Sequence, residues 1–281
     1  MNAIARLVRE FLLAVQFFTR IPITGALADW VGYSPELLRA SAAHFPAVGA
    51  LVGLAAALVY ASLLAVLPET AFTPLAAAAL SSVASVLLTG GFHEDGLADV
   101  ADGLGGSYDR DRALAIMKDS RVGAFGAMAL VLALLCKVAL LSMLGAMPGS
   151  PSGWSEAPFN GWYVCTALCV GHVLSRGLPL LLIRLLPHIG DTTASKSKPL
   201  ADQISLGRIL IAWLWCLLVL ALASMVLEPE DLIVAVSFAA VALLWMARLF
   251  KRRLQGFTGD CLGATQQVCE IAFYLGLAVS W

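Results

Sequence analysis

Carboxylates crowd one short stretch, Gly90-Gly91-Phe92-His93-Glu94-Asp95-Gly96-Leu97-Ala98-Asp99-Val100-Ala101-Asp102-Gly103, directly after a long apolar run. On a helix Asp95, Asp99 and Asp102 fall at i, i+4 and i+7, so three like charges share one face. Such a face calls for a cation. Ligands that are all oxygen suit Mg²⁺ or Mn²⁺ better than zinc, and a hydrated Mg²⁺ held by a few carboxylates usually serves phosphate chemistry. His93, with an ordinary pKa of about 6.5, or one of the three aspartates is the candidate to accept a proton there. Glu94 falls off the acidic face and reads as a solvated charge.

The elements that must position these groups are apolar. Of the 281 residues, 60% are hydrophobic and 13% charged, with a mean hydropathy of +0.85. A soluble domain would carry about 25% charged residues. The net charge of -1 gives no electrostatic footprint for nucleic acid. Segments at 44–67, 72–90, 122–147, 161–186, 209–227 and 232–250 are long enough to cross a bilayer, which takes roughly 17–25 residues. A seventh, 264–281, is less apolar and contains Glu270. Residues 4–18 mix Arg6, Arg9, Glu10 and Gln16 with Leu and Phe, which suits an interfacial helix. The expectation is one all-α domain, 1–281: a polytopic integral membrane helical bundle of about six to seven transmembrane helices. Whether 4–18 and 264–281 cross is left open. The 6 cysteines form no C-x-x-C pair and read as small core residues. His44, His172 and His188 are scattered, which argues against a histidine metal site.

Numbering the segments in order places the connections alternately on two sides. Residues 91–121, 187–208 and 251–262 carry Arg110, Arg112, Lys118, Arg121, Lys196, Lys198, Arg208, Lys251, Arg252 and Arg253, whereas 68–71, 148–160 and 228–231 carry neither Lys nor Arg. The positive-inside rule then makes the acidic stretch cytoplasmic. Lys118 and Arg121 sit one loop beyond the carboxylates and suit phosphate charge. Arg176 lies deep in an apolar run beside Ser175, Gly177 and Pro179, a broken helix that could line a substrate cavity. Lys137 is likewise deep, with no evident partner.

Several motifs resemble, in order, those of the cobalamin synthase (adenosylcobinamide-GDP ribazoletransferase) family. The stretch above resembles G-G-x-H-x-D-G-L-A-D-x-x-D-G. Phe17-Phe18-Thr19-Arg20-Ile21-Pro22 resembles F-x-T-R-x-P, and Phe45-Pro46-Ala47-Val48-Gly49 resembles F-P-x-x-G. Met117-Lys118-Asp119-Ser120-Arg121-Val122-Gly123 resembles M-[RK]-D-S-x-x-G, and Thr258-Gly259-Asp260-Cys261-Leu262-Gly263-Ala264 resembles T-G-D-x-L-G-A. Gln255-Gly256-Phe257 departs from the family's L-G-G, so a glycine is missing before Thr258. Gln266 and Gln267 stand near a position often acidic in the family.

The resemblance implies a Mg²⁺-dependent joining of α-ribazole, or its 5′-phosphate, to adenosylcobinamide-GDP with release of GMP, a late step of cobalamin biosynthesis. It implies Asp95, Asp99 and Asp102 as metal ligands, with His93 and the same aspartates as the catalytic set. Lys118, Asp119, Arg121, Arg176 and Asp260 become substrate contacts. The implied partners are the two substrates and the lipid bilayer, that of a bacterial cytoplasmic (inner) membrane, and a homo-oligomer is left open. Two alternatives compete. A transporter would place ionisable groups near the midplane, whereas these cluster at one face. Another membrane alcohol phosphotransferase, with a CDP-linked donor, would carry Ala-Arg after Asp-Gly, but Asp99 follows Ala98 here.

Overall fold

The computed structural model describes residues 3–147, 159–189 and 204–280. Among them every regular element is helical, apart from one isolated parallel bridge between His188 and Phe257. Within a bilayer only internal hydrogen bonding satisfies the backbone, and long runs of Leu, Ala and Val meet that demand as helices.

The N-terminal helix α1 (Ala3–Phe18) is amphipathic. It buries Glu10, Leu13, Ala14, Val15 and Phe18 and leaves Ile4, Leu7 and Val8 exposed. Two short helices follow, α2 (Gly25–Val31) and α3 (Pro35–Ser41), the latter capped by Ser34 Oγ accepting from the Leu37 amide at 3.0 Å. The long helices are α4 (Phe45–Val66), α5 (Thr73–Thr89), α8 (Ala124–Ala146), α9 (Gly161–Gly177) with its short continuation α10 (Leu180–Leu185), α11 (Leu206–Ala223), α12 (Pro229–Arg253) and α13 (Gly259–Ser280). Six helical stretches among the described residues are long and apolar enough to cross a membrane, and α5 joined to the following helix makes a seventh. The C-terminal segment around Glu270 is one of the six; α1 is not.

Outward faces carry Leu58, Val83, Leu132, Leu135, Leu214 and Leu244, all exposed, as lipid-facing positions require. Inward faces are built on small residues. Helix α4 packs along α9, where a Cβ on Gly53 would stand 2.8 Å from the Cα of Cys169, so only glycine permits this approach. Helix α9 is the most enclosed, with every residue from Val170 to Gly177 buried.

The acidic stretch leaves this pattern. Gly90 and Gly91 both adopt left-handed backbone, φ 70° and 71°, and end α5. Helix α6 (Phe92–Gly106) then departs at 91° to α5, running across the spans rather than along them. Its C-terminal end is tied down by Arg253 of α12, which donates to Leu104 O at 3.0 Å and Ser107 O at 2.7 Å, a cation at the negative end of a helix. The next helix, α7 (Arg110–Met117), is held to α12 by Arg110 Nε donating to Leu254 O at 2.7 Å.

Candidate functional site

Helix α6 puts its aspartates where helical phase predicts and gives them different surroundings. Asp95 is exposed, Asp99 half-buried and Asp102 buried. Gly96 lies against the first turn of α13: a Cβ there would meet Asp260 O at 2.9 Å, so glycine lets the two backbones close. That approach sets Asp260 against Asp95 and Asp99. Burial pushes the Asp99 carboxyl up to about 7, helped by the negative charges of Asp260, Asp95 and Asp102. Among the described residues no hydrogen bond reaches the carboxylate of Asp95 or Asp99, and that of Asp260 takes one from Thr258 Oγ1 at 3.2 Å.

Asp102 has a distinct position. Its Oδ2 accepts from the Gly123 amide at 2.7 Å and its Oδ1 from the Gly126 amide at 2.8 Å. These amides belong to the start of α8, so a carboxylate from α6 occupies the positive end of the next spanning helix. The three carboxylates expected to act alike therefore divide into one that pins two helices and two that face Asp260.

The donor set suits a hard cation: oxygens only, partly desolvated, with repulsion that a positive charge relieves. Among the described residues no three carboxylate, imidazole or thiol side chains converge closely enough to enclose a metal unaided. Mg²⁺ keeps several waters and shares its shell with substrate phosphates, so a partial cage is what it uses.

The other predicted residues fall in two places. Lys118, Asp119 and Arg121 lie on the connection between α7 and α8, with Lys118 and Arg121 exposed. Asp119 and Arg121 pair with each other at 2.6 Å, and that bond holds the Asp119 carboxyl at about 2. Arg176 is buried at the C-terminal end of α9, where it lines a pocket with His93 and Phe92 from the head of α6. His93 is buried and stacks on Phe18, centroids 5.8 Å apart and planes 14° from parallel.

Three features correct the sequence reading. Glu94 is half-buried rather than solvated: its Oε1 accepts from Gln267 Nε2 at 3.0 Å, and its Oε2 is buried without a partner among the described residues. Lys137 has a partner, Glu270, at 2.7 Å. Ionisable groups are not confined to one face. Glu270 also accepts from Gln266 at 2.7 Å and Tyr274 at 3.0 Å, and His172 lies 3.6 Å away. Arg176 Nη1 donates to His172 O at 3.0 Å, Gln266 donates to Ser175 at 2.8 Å, and Gln267 donates to Gln266 at 2.9 Å. A buried polar chain thus runs from Lys137 in α8 to Glu94 in α6. Its one sequence signal is the density of polar residues, Gln266, Gln267 and Glu270, inside an apolar segment.

A second buried acid, Glu10, joins α1 to the bundle. It accepts from both terminal nitrogens of Arg208 in α11 and from Arg6 Nε at 3.0 Å. Arg20, two residues before Pro22 in the same motif but not singled out as a site residue, packs its guanidinium over Gly90, and its amide donates to Leu88 O at 2.7 Å. Lys196 and Lys198, which entered the topology argument, lie outside the described residues.

Comparison with known proteins follows this geometry. The family described as cobalamin-5-phosphate synthase matches residues 10–278. A Polaromonas sp. (strain JS666) protein named adenosylcobinamide-GDP ribazoletransferase is 72% identical over 281 residues, covering 100% of both chains. Proteins of the same name from Polaromonas naphthalenivorans and Vibrio cholerae are 69% and 41% identical, covering 97% and 98% of this chain and 98% and 95% of their own. No solved structure matches the chain.

Proposed function

Because the chain belongs to the cobalamin-5-phosphate synthase family, we propose that it catalyses the transfer its relatives are named for, joining a ribazole to adenosylcobinamide-GDP. The observation that carries this reading is the set of Asp95, Asp99 and Asp260 brought together by the α6–α13 contact at Gly96. The ribazole hydroxyl oxygen forms a new bond to the cobinamide-side phosphorus, the bond from that phosphorus to the bridging oxygen breaks, GMP leaves with the bridging oxygen, and the hydroxyl proton passes to a base.

The chain's own groups divide this work. Asp95, Asp99 and Asp260 would hold Mg²⁺, which when bound supplies positive charge to the pyrophosphate and the leaving GMP. Asp102 fixes α6 against α8, so the carboxylates keep their spacing. The hydroxyl proton goes to His93, at the pocket end of α6, or to a carboxylate further along that helix. Lys118 and Arg121 offer exposed positive charge to the phosphates as they arrive.

The Lys- and Arg-bearing connections beside α6 and after α12 support a cytoplasmic acidic face in a bacterial inner membrane. Adenosylcobinamide-GDP and α-ribazole, or its 5′-phosphate, are the proposed substrates. The test is GMP release by purified protein given both substrates, with and without Mg²⁺. No GMP in either condition would overturn the reading; GMP that persists in chelator would remove the metal from it.

A further inference from the structure

Beside the acidic face lies a pocket whose wall is almost wholly hydrocarbon and aromatic. Phe17 and Phe18 come from the end of α1, Phe45 from the start of α4, Phe92 and His93 from the start of α6, and Arg176 from the end of α9. The rings form an edge-to-face set: Phe18 and Phe45 centroids are 4.3 Å apart at 77°, Phe18 and Phe92 5.4 Å at 85°, and Phe17 and Phe92 5.6 Å at 72°. Three chain segments thus deliver aromatic groups to one spot, and a fourth brings a guanidinium.

Phe92 is the informative member. It is 41% exposed although it heads the helix that carries the acids. On that helix positions 92, 95 and 99 recur at i, i+3 and i+7 and so share a face. A group stacked on Phe92 therefore lies about one helical turn, roughly 5 Å, from Asp95.

The polar side chains lining the pocket are His93, Arg176 and Gln266, and the Gln266 amide is already bonded to Ser175, Glu270 and Gln267. Arg176 is 5% exposed, and its Nε is buried without a hydrogen-bond partner among the described residues. A planar ligand with a single in-plane acceptor satisfies such a wall. A base edged with several donors and acceptors leaves most of them unpaired against phenylalanine.

Resting on the transfer reading above, we propose that this pocket binds the heteroaromatic base of the ribazole nucleoside. That base is a dimethylated benzimidazole attached to its sugar through one ring nitrogen, so it brings two methyl groups, two fused rings and one free acceptor nitrogen. Guanine, the other base in the reaction, carries a carbonyl, an amine, a ring N–H and two further ring nitrogens, and is excluded by the same chemistry. With the base among the phenylalanines, the ribose projects along α6 toward Asp95 and Asp99.

The test uses full-length protein in detergent. Equilibrium dialysis measures α-ribazole binding directly, and turnover gives KM for each substrate. Phe92→Ala removes a partly exposed ring and is expected to weaken α-ribazole binding about tenfold, with KM for adenosylcobinamide-GDP changed less than twofold. In wild-type protein, free 5,6-dimethylbenzimidazole is expected to compete with α-ribazole, whereas guanosine is not. Wild-type protein that releases GMP while Phe92→Ala keeps its α-ribazole affinity overturns the pocket assignment alone, as does displacement of α-ribazole by guanosine but not by the benzimidazole. Wild-type protein that binds α-ribazole through Phe92 yet releases no GMP overturns the transfer and leaves the pocket standing. Wild-type protein that binds no α-ribazole overturns both.

Discussion

Lys137 Nζ stands 2.7 Å from Glu270 Oε1, with both side chains sealed from solvent between α8 and α13. Breaking one side of a buried pair strands the other charge and typically costs about 3–5 kcal/mol, whereas replacing both partners by neutral groups costs far less. Lys137→Met and Glu270→Gln are each expected to lower the thermal midpoint in detergent sharply. The double substitution recovers most of that loss. A double variant as unstable as the worse single one would show that the pair is not what the stability depends on.

Asp102 is predicted to separate from its helical neighbours. Asp102→Asn replaces one acceptor of the two amide bonds with a donor, so stability is expected to fall by about 1–2 kcal/mol, and added Mg²⁺ should not restore activity. Asp95→Asn and Asp99→Asn relieve like-charge repulsion and should leave the metal-free midpoint level or higher while GMP release falls at least tenfold. Their residual activity should rise with Mg²⁺. Melting curves in chelator and a Mg²⁺ titration of GMP release check the contrast, and identical behaviour of all three variants would contradict it.

Glu94→Gln is expected to reduce activity more than Asp119→Asn. Glu94 has an oxygen buried without a partner and bonds Gln267, at the end of the polar chain that includes Arg176. Asp119 is paired with the exposed Arg121, and exposed pairs are worth about 1 kcal/mol or less. Turnover of the two variants at equal folded yield decides it. A larger loss for Asp119→Asn would place the α7–α8 connection nearer the reaction than the polar chain.

Orientation is tested at two described positions. A cysteine replacing Arg252 should react with an impermeant maleimide only after the cells are opened, and one replacing Glu228 should react in intact cells. The reverse pattern would put the acidic face outside.

The spans and the acidic helix were legible because each depends on local pattern: continuous Leu, Ala and Val for the first, i, i+4, i+7 spacing for the second. The Gly90-Gly91 pair marked the boundary, though not the angle it sets. What the sequence could not reveal is which side of α6 faces protein. Helical phase put Glu94 off the acidic face, and on an isolated helix that means solvent; against α13 it means the interior. The Lys137–Glu270 pairing joins distant segments and has no local signature. The glycine missing before Thr258 has a plain explanation. Phe257 is extended, its amide donating to Pro187 O and its carbonyl accepting from the Ile189 amide, both at 3.0 Å, while the left-handed φ of 61° falls on Gln255 instead.

The right-angled departure of α6 makes it a beam rather than a lever. A 15-residue helix hinged only at Gly90-Gly91 would carry its far end about 0.4 Å for each degree of swing, over a length of about 22 Å. The amides of Gly123 and Gly126 on Asp102, and Arg253 on the last carbonyls, clamp that far end. Its middle, where Asp99 sits, is then held from both ends. Were the carboxylates to hold Mg²⁺ as proposed, a mount fixed at both ends would resist widening for a larger ion, and discrimination against Ca²⁺ would be a property of the two clamps, remote from the carboxylates themselves.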